Sequence, residues 1–411
     1  MSTKVDADSL RVFGQLLRDR RNAMGWSRQE LAKRAGLSDS TIKFIERARH
    51  PPSRATLIRL QNIPALELSF SDFPDRGTAP PRFPQQAEDR EKCPPILRCH
   101  MPPFVDSVRQ FVDLGNVFRG SGGHVDQVLT YLDHHGAADY LRLCHDWPIS
   151  VALRSQVPLA QMAKYILRSR RASLQVIALG VADGALETRL IQCLHSIVPD
   201  TNLELCLLDI SLPLLSCAMV TAAALPRADS LQVRGINANL LDLPLLEAAI
   251  RPAHSKSSRL FCMLGGTLSD LDNEPRFFQY SLSVAKPGDM LLLDVPVRTQ
   301  VQGVAEVSPW HQCWLRGVIL RHCIDVKNIQ FNVGTYANSL IPGTGVVDIV
   351  ARVSSSSIER HFSLLRLRRY DLGSLRDLLR THGWEPTAEH NYGIDSTAYA
   401  SAMLLFEKKR R

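Results

Sequence analysis

"VIALGVADGALETRLI", residues 176–191, is the stretch whose reading decides the fold. It opens apolar, as a buried strand over Leu174 to Leu179 would. It then spaces Leu186, Leu190 and Leu194 four apart, which is the period of one buried helix face. Between the two, Gly180 lets the chain turn without a Cβ clash, and Asp183-Gly184 brings backbone close to whatever lies above the turn. Strand, glycine turn and helix in that order begin a parallel crossover, and such sheets place ligands outside the carboxyl ends of their strands.

The downstream sequence continues the pattern. "LELCLLDIS" (203–211) reads as a second buried strand ending in Asp209, with Ser211 as helix cap and Pro213 in the first turn. An acid at the end of the second strand is where doubly wound folds accept from ribose hydroxyls. "VRGINANLLDL" (233–243) gives a third strand ending near Asn237 and Asn239. "RLFCMLGGTLSDL" (259–271) gives a fourth, opening onto Gly265-Gly266, and "KPGDMLLLDV" (286–295) a fifth behind a Pro-Gly turn. Strands alternating with helical segments predict a parallel sheet covered by helices over residues 104–411.

The N-terminal residues differ in kind. Residues 1–62 hold 13 Lys/Arg against 6 Asp/Glu, whereas the rest of the chain is nearly balanced, so most of the net charge of +8 sits in one small segment. Such concentration suits a polyanion-binding module. In "WSRQELAKRAGLSDSTIKFIERARHPPS" (26–53), Ser27 can cap a helix with Glu30 three residues on, Leu31 and Ala32 point inward, and Gly36 ends the helix left-handed. Ser38 caps the next helix, whose Ile42 and Ile45 share a face. Two short helices joined by a glycine turn, behind the supporting "FGQLLRDRRNAMG" (13–25), form a helix-turn-helix. Between the two regions, residues 69–103 carry 8 of the 24 prolines and read as a semi-extended linker. The expected organisation is a DNA-binding domain at 1–68, a linker at 69–103 and an α/β domain at 104–411.

Other classes are disfavoured. The first ten residues are polar and acidic, and the longest nearly apolar run, "LLSCAMVTAAAL" (214–225), is too short to span a bilayer, so a cytoplasmic protein without membrane attachment is expected. Nine cysteines without a CxxC pair indicate neither a zinc ribbon nor a disulfide framework, and no metal site is expected.

The N-terminal segment, through "IERARHPPSRATLIRL" (45–60), resembles the Cro and phage-repressor type of DNA-binding domain. That resemblance implies a recognition helix in the major groove of double-stranded DNA, with Ser38, Asp39, Ser40 and Lys43 at base edges. Arg28, Gln29, Arg47 and Arg49 would hold phosphates, and a homodimer would span two half-sites. A solvated polar face, or a protein-binding module, is the plainer alternative. The strand-and-loop set "LGVADGALETRL", "LDIS", "GINANL", "MLGGTLSDL" and "KPGDMLLLDV" resembles class I S-adenosylmethionine-dependent methyltransferases, and more narrowly the histidine Nα-methyltransferases of ergothioneine biosynthesis. The implied architecture is an all-α helix-turn-helix domain followed by a doubly wound, Rossmann-like α/β domain. The resemblance assigns Gly180, Asp183 and Gly184 to the cofactor's methionine and ribose side, Asp209 to its ribose hydroxyls, Asn239 to its adenine, and Gly265 to the cofactor site as well.

Departures from that family stand out. Ala178 occupies the place of a carboxylate that pairs with the cofactor's amino group, which predicts weakened affinity, and Ala182 replaces a glycine. On the substrate side, Asp270 stands where the family has an asparagine and Asp348 where it has a glutamate, two acids that suit a small amine or amino-acid ligand. Methyl transfer requires mainly alignment of an uncharged acceptor, so the sequence names no catalytic base. His311, His322, His361 and His382 read as structural or surface residues. Two functions follow: methyl transfer joined to a DNA-binding regulator, or a transcriptional regulator whose silent methyltransferase fold senses S-adenosylmethionine, S-adenosylhomocysteine or another metabolite.

Overall fold

The computed structural model describes residues 7–48, 52, 56, 60, 63, 66, 98–100, 118, 122–168, 173–199, 201–225, 231–252, 257–299, 307–323, 326–336, 339–355, 358–393 and 399–410. The chain divides into two units, Met1–Glu91 and Lys92–Arg411.

In the first unit, α1 (Ala7–Ala23) supports α2 (Arg28–Ala35) and α3 (Asp39–Glu46). The helix ends are set locally. Ser27 Oγ accepts from Glu30 N at 3.1 Å, Gly36 closes α2 at φ 60° and returns its N–H to Ala32 and Lys33, and Ser38 Oγ accepts from Thr41 N at 3.1 Å. Leu31, Ala32, Ile42 and Ile45 then bury against Phe13 and Leu17. Gly14 lets α1 and α3 touch backbone to backbone, since a Cβ there would come within 2.5 Å of the Ile45 carbonyl oxygen. Arg21 Nε donates to Glu46 Oε1 at 2.6 Å, and both side chains are buried.

The second unit begins with β1 (Arg98–His100), β2 (Gly122–His124), α4 (His134–Asp146), α5 (Pro148–Gln156) and α6 (Leu159–Leu167). The opening stretch supplies β3 (Ser173–Leu179) and α7 (Ala185–Ile197). β4 (Asn202–Asp209), α8 (Leu212–Ala223), β5 (Gln232–Asn237), β6 (Ser258–Met263), α9 (Glu274–Gln279) and β7 (Met290–Pro296) follow. Next come α10 (Pro309–His322), β8 (Asn328–Tyr336), β9 (Gly345–Ser354), β10 (Glu359–Arg369), α11 (Leu372–Thr381), β11 (Trp384–Gly393) and β12 (Ala400–Lys408). Among the described residues one sheet has the order β1-β5-β4-β3-β6-β7-β12-β11. Its first six strands are parallel, and β12 runs antiparallel between β7 and β11.

The apolar run of β3 is explained by burial on both faces. Val176 and Ala178 enter a core with Met162 of α6 and Leu190 of α7. Ile177 and Leu179 enter the opposite core with Phe277 of α9 and Leu375 of α11. Helices therefore cover both faces, the expected doubly wound architecture.

Two features differ from the sequence reading. Arg98–His100, inside the expected linker, pairs with β5 at the sheet edge, while residues 69–97 and 101–103 lie outside the described residues. Within the expected single α/β sheet domain at 104–411, Gly345–Ser354 instead form β9 of a second sheet, ordered β2-β10-β9-β8 and packed on α10 through Trp314, Leu315 and Phe362. Its pairing joins His124 to Ser363, a separation that local periodicity does not reveal. Ser354 and Ser355 sit at the turn between β9 and β10, where Ser355 N donates to Ile358 O at 2.9 Å.

Candidate functional site

The turns after β3 and β6 are built from left-handed residues: Gly180 (φ 72°), Ala182 (φ 47°) and Gly184 (φ 70°) in one, Gly265 (φ 69°) and Gly266 (φ 85°) in the other. They lie against each other. Thr267 Oγ1 donates to the carbonyl oxygens of Gly180 and Leu264 at 3.1 and 3.0 Å, and a Cβ on Gly180 would come within 2.5 Å of Thr267 Cγ2. Of these five residues Ala182 alone takes this backbone conformation with a side chain, where a left-handed residue other than glycine costs about 1–2 kcal/mol.

A carboxylate at the end of each neighbouring strand fastens these turns. Asp209, closing β4, accepts from Val181 N at 2.9 Å and Ala182 N at 3.3 Å through Oδ2, and from Ser211 N at 2.8 Å through Oδ1. Burial pushes it up to about 6 despite those bonds. Asp294 in β7 accepts from Gly265 N at 2.9 Å and from the Tyr392 hydroxyl at 2.5 Å, and burial likewise pushes it up to about 6.

Two lobes of a cleft, of about 260 and 230 Å³, meet above the turns and share Tyr140, Gly180, Ala182, Thr267 and Asp270. The first lobe is walled by Trp147, Trp314 and Tyr399 and includes Asp183, Glu187, Gly265 and Asp294. The second sets Asp209 and Asn239 among the apolar Ile210, Leu214, Leu240 and Leu241. Asp270 lies where the lobes join, and burial pushes it up to about 7.

The cleft thus brings together most of the residues singled out in the sequence. Gly180, Asp183, Gly265 and Asp270 line the first lobe; Gly180, Asp209, Asn239 and Asp270 line the second. Gly184 serves α7 instead, as its cap, and a Cβ there would meet Ala218 at 2.9 Å. Asp183 is engaged by Arg154, whose Nη2 donates to both carboxylate oxygens at 2.6 and 2.8 Å, and by His145 Nε2 at 3.0 Å. Asn239 Oδ1 accepts from Leu241 N at 2.9 Å. Asp348 lines neither lobe: it is fully buried in β9 and accepts from Ser363 Oγ at 2.7 Å.

Several cleft residues carried no signal of their own. Asp294 could have been noticed as a second acid ending an apolar strand, but Glu187, Arg154 and the aromatic wall come from helices and distant strands. His311, read as structural or surface, faces the first lobe. It bonds Ser308 Oγ through Nδ1 at 2.6 Å, packs edge-on against Trp147, and is pushed down to about 4 by burial.

In the first unit, Gln29, Ser38, Ser40 and Arg47 are exposed and Arg28, Asp39 and Lys43 half-buried. Arg49 lies outside the described residues. The Ser38 hydroxyl is occupied at the helix cap, also bonding Ser40 and Thr41 Oγ1, each at 2.8 Å.

Residues 12–63 match a family model described as a helix-turn-helix domain. The N-terminal unit contains a helix-turn-helix domain. A restriction-modification controller protein from Aeromonas hydrophila is similar to that domain at 32% identity, covering 16% of this chain and 96% of its own, with a TM-score of 0.15. Beyond the helix-turn-helix domain, an S-adenosylmethionine-dependent methyltransferase from Clostridium acetobutylicum ATCC 824 is similar at 12% identity over 66% of this chain and 99% of its own (TM-score 0.38). Magnesium protoporphyrin IX methyltransferase from Synechocystis PCC 6803 is similar at 13% over 68% and 96% (TM-score 0.37). No curated protein sequence matches the chain at a significant level. Among the described residues, no helix is long and apolar enough to cross a membrane.

Proposed function

We propose that the second unit binds S-adenosylmethionine and methylates a small amine, and that the helix-turn-helix domain binds double-stranded DNA as part of a homodimer. The observation that carries the cofactor reading is the joining of two lobes above the glycine turn at the carboxyl ends of β3, β4, β6 and β7. The second lobe suits a nucleoside, with apolar walls for a flat base and Asp209 and Asn239 as polar contacts. The first lobe suits the amino-acid end and the methyl acceptor. When bound, the cofactor supplies an electrophilic methyl group.

The chain's residues do the positioning. Gly180 leaves room for Thr267, which ties the two turns together, and Gly265 gives its N–H to Asp294. The aromatic wall of Trp147, Trp314 and Tyr399 excludes water and favours a cationic or aromatic acceptor. Asp270, at the junction, carries an acid that burial holds near neutrality, able to accept a proton from an acceptor ammonium. The narrower likeness to histidine Nα-methyltransferases rests on the quoted loop motifs. The substrate reading rests on Asp270 and Asp294, since Asp348 lies outside the cleft.

The sensing alternative draws on Asp209, whose oxygens already accept from three backbone N–H groups and fasten the turn from within. Calorimetry with S-adenosylmethionine tests the shared premise, and turnover against a panel of amines separates the two. Binding with methylated product supports the enzyme, binding without product supports the sensor, and no binding refutes the methyltransferase and the sensing of this cofactor, leaving a regulator that answers to another metabolite. For DNA, Lys43→Ala should weaken specific more than non-specific binding, and Arg47→Ala should weaken both alike. Absence of any DNA affinity at low salt refutes that assignment.

A further inference from the structure

Glu187 is the third residue of α7 and is only 4% exposed, yet it is among the residues that line the first lobe. Among the described residues no other residue hydrogen-bonds it; its recorded bond is from its own backbone N–H. A carboxylate so enclosed is costly unless something pairs with it. The nearby guanidinium of Arg154 is committed to Asp183 through two short bonds. A position in the first turn of a helix favours an acid, but an exposed face would serve that purpose without burial. Glu187 also lies within electrostatic reach of Cys262, and Cys262 is the register partner of Ala178. Glu187 therefore lies near the strand pair that carries Ala178, where β3 offers no acid.

A metal ion is a poor partner, because no group of three His, Cys, Asp or Glu able to hold one occurs among the described residues. A primary ammonium fits better. It brings three donors and one charge, and it can reach the lobe on a short aliphatic chain. We propose that Glu187 binds the α-ammonium of the cofactor's methionine part, taking over from α7 the task that Ala178 cannot perform from β3. The inference rests on the cofactor reading above. It has a proton consequence. Burial first, then the neighbouring Asp183 and Asp209, push Glu187 up to about 8, while Arg154 and its backbone N–H oppose the shift. At pH 7 the carboxyl group is mainly protonated, and pairing with an ammonium expels that proton to the buffer.

The experiment is calorimetry on the full chain, comparing wild type with Glu187→Gln. The ligands are S-adenosylhomocysteine, which has the amino-acid part, and methylthioadenosine, which keeps the nucleoside and sulfur but lacks it. The expected result is a 10- to 100-fold loss of S-adenosylhomocysteine affinity in the variant, with methylthioadenosine unchanged. Wild type should also release protons with S-adenosylhomocysteine at pH 7, read from buffers of different ionisation enthalpy, and the variant should not. Glu187→Gln is nearly isosteric with the protonated carboxyl group it replaces, so it should fold; circular dichroism checks this. Equal S-adenosylhomocysteine affinity in both proteins overturns the role of Glu187 and leaves the cofactor reading standing. Equal loss of both ligands also overturns it, showing that Glu187 shapes the turn. Failure of wild type to bind either ligand removes the cofactor reading itself.

Discussion

Asp209→Asn sets the burial of a charge against the hydrogen bonds that hold it. In wild type the carboxylate faces donors on both sides: Val181 and Ala182 N on Oδ2, Ser211 N on Oδ1. An asparagine amide presents an acceptor to only one side and leaves a buried donor unmatched on the other, at a cost of about 1–3 kcal/mol. The lost charge works in the opposite direction. Burial raises the group from 3.8 to about 6, a shift already net of those bonds, which at 1.36 kcal/mol per unit opposes folding by about 3 kcal/mol at pH 7. The two effects nearly cancel, so the variant should lie within about 2 kcal/mol of wild type at pH 7. They separate with pH. A group whose folded pKa is raised adds stability that is present at low pH and lost as pH rises through 6. Wild type should therefore gain about 1 kcal/mol from Asp209 between pH 7 and 5, a gain the variant lacks. Denaturant unfolding followed by tryptophan fluorescence measures this, because the buried Trp314 and Trp384 report on the second unit. A deficit that is identical at pH 5 and 7 would refute the reasoning and show that the N–H bonds outweigh burial.

Other outcomes are open to simpler measurement. Ala182→Gly should relieve the left-handed strain of about 1–2 kcal/mol, offset by about 0.4–1 kcal/mol of added unfolded-chain entropy, and so leave the protein equal to or up to about 1.5 kcal/mol more stable; a clear loss in thermal unfolding would contradict that strain. Arg21→Met should destabilise the helix-turn-helix domain by up to about 3–5 kcal/mol by taking from buried Glu46 its nearer guanidinium and leaving only Arg18 at 3.9 Å, read from the fluorescence of Trp26; an unchanged transition would show the pair to be dispensable. Asp209, Asp270, Asp294 and Glu187 are all raised mainly by burial, so the second unit should become more stable as pH falls from about 8 toward 6, before acid effects elsewhere intervene; a stability maximum at alkaline pH would count against their enclosure.

By itself the sequence determined whatever depends on near neighbours along the chain. Ser27, Gly36 and Ser38 place the helix ends because a cap bonds a backbone group three residues away, and Gly180 to Gly184 place the turn because left-handed backbone favours glycine. The apolar runs of β3, β4, β6 and β7 announce a parallel sheet because burial on both faces leaves no polar alternation. Only the tertiary structure decided which acids face a ligand. Asp348 and Asp270 look alike in sequence, but β9 turns Asp348 toward Ser363 in the second sheet while the turn after β6 holds Asp270 in the cleft. Glu187 and Asp294 join the site through packing of α7 and the pairing of β7 with β12, next to β11 and its Tyr392. Those contacts span up to about 100 residues of chain, and a periodicity read over a dozen residues carries no information about them.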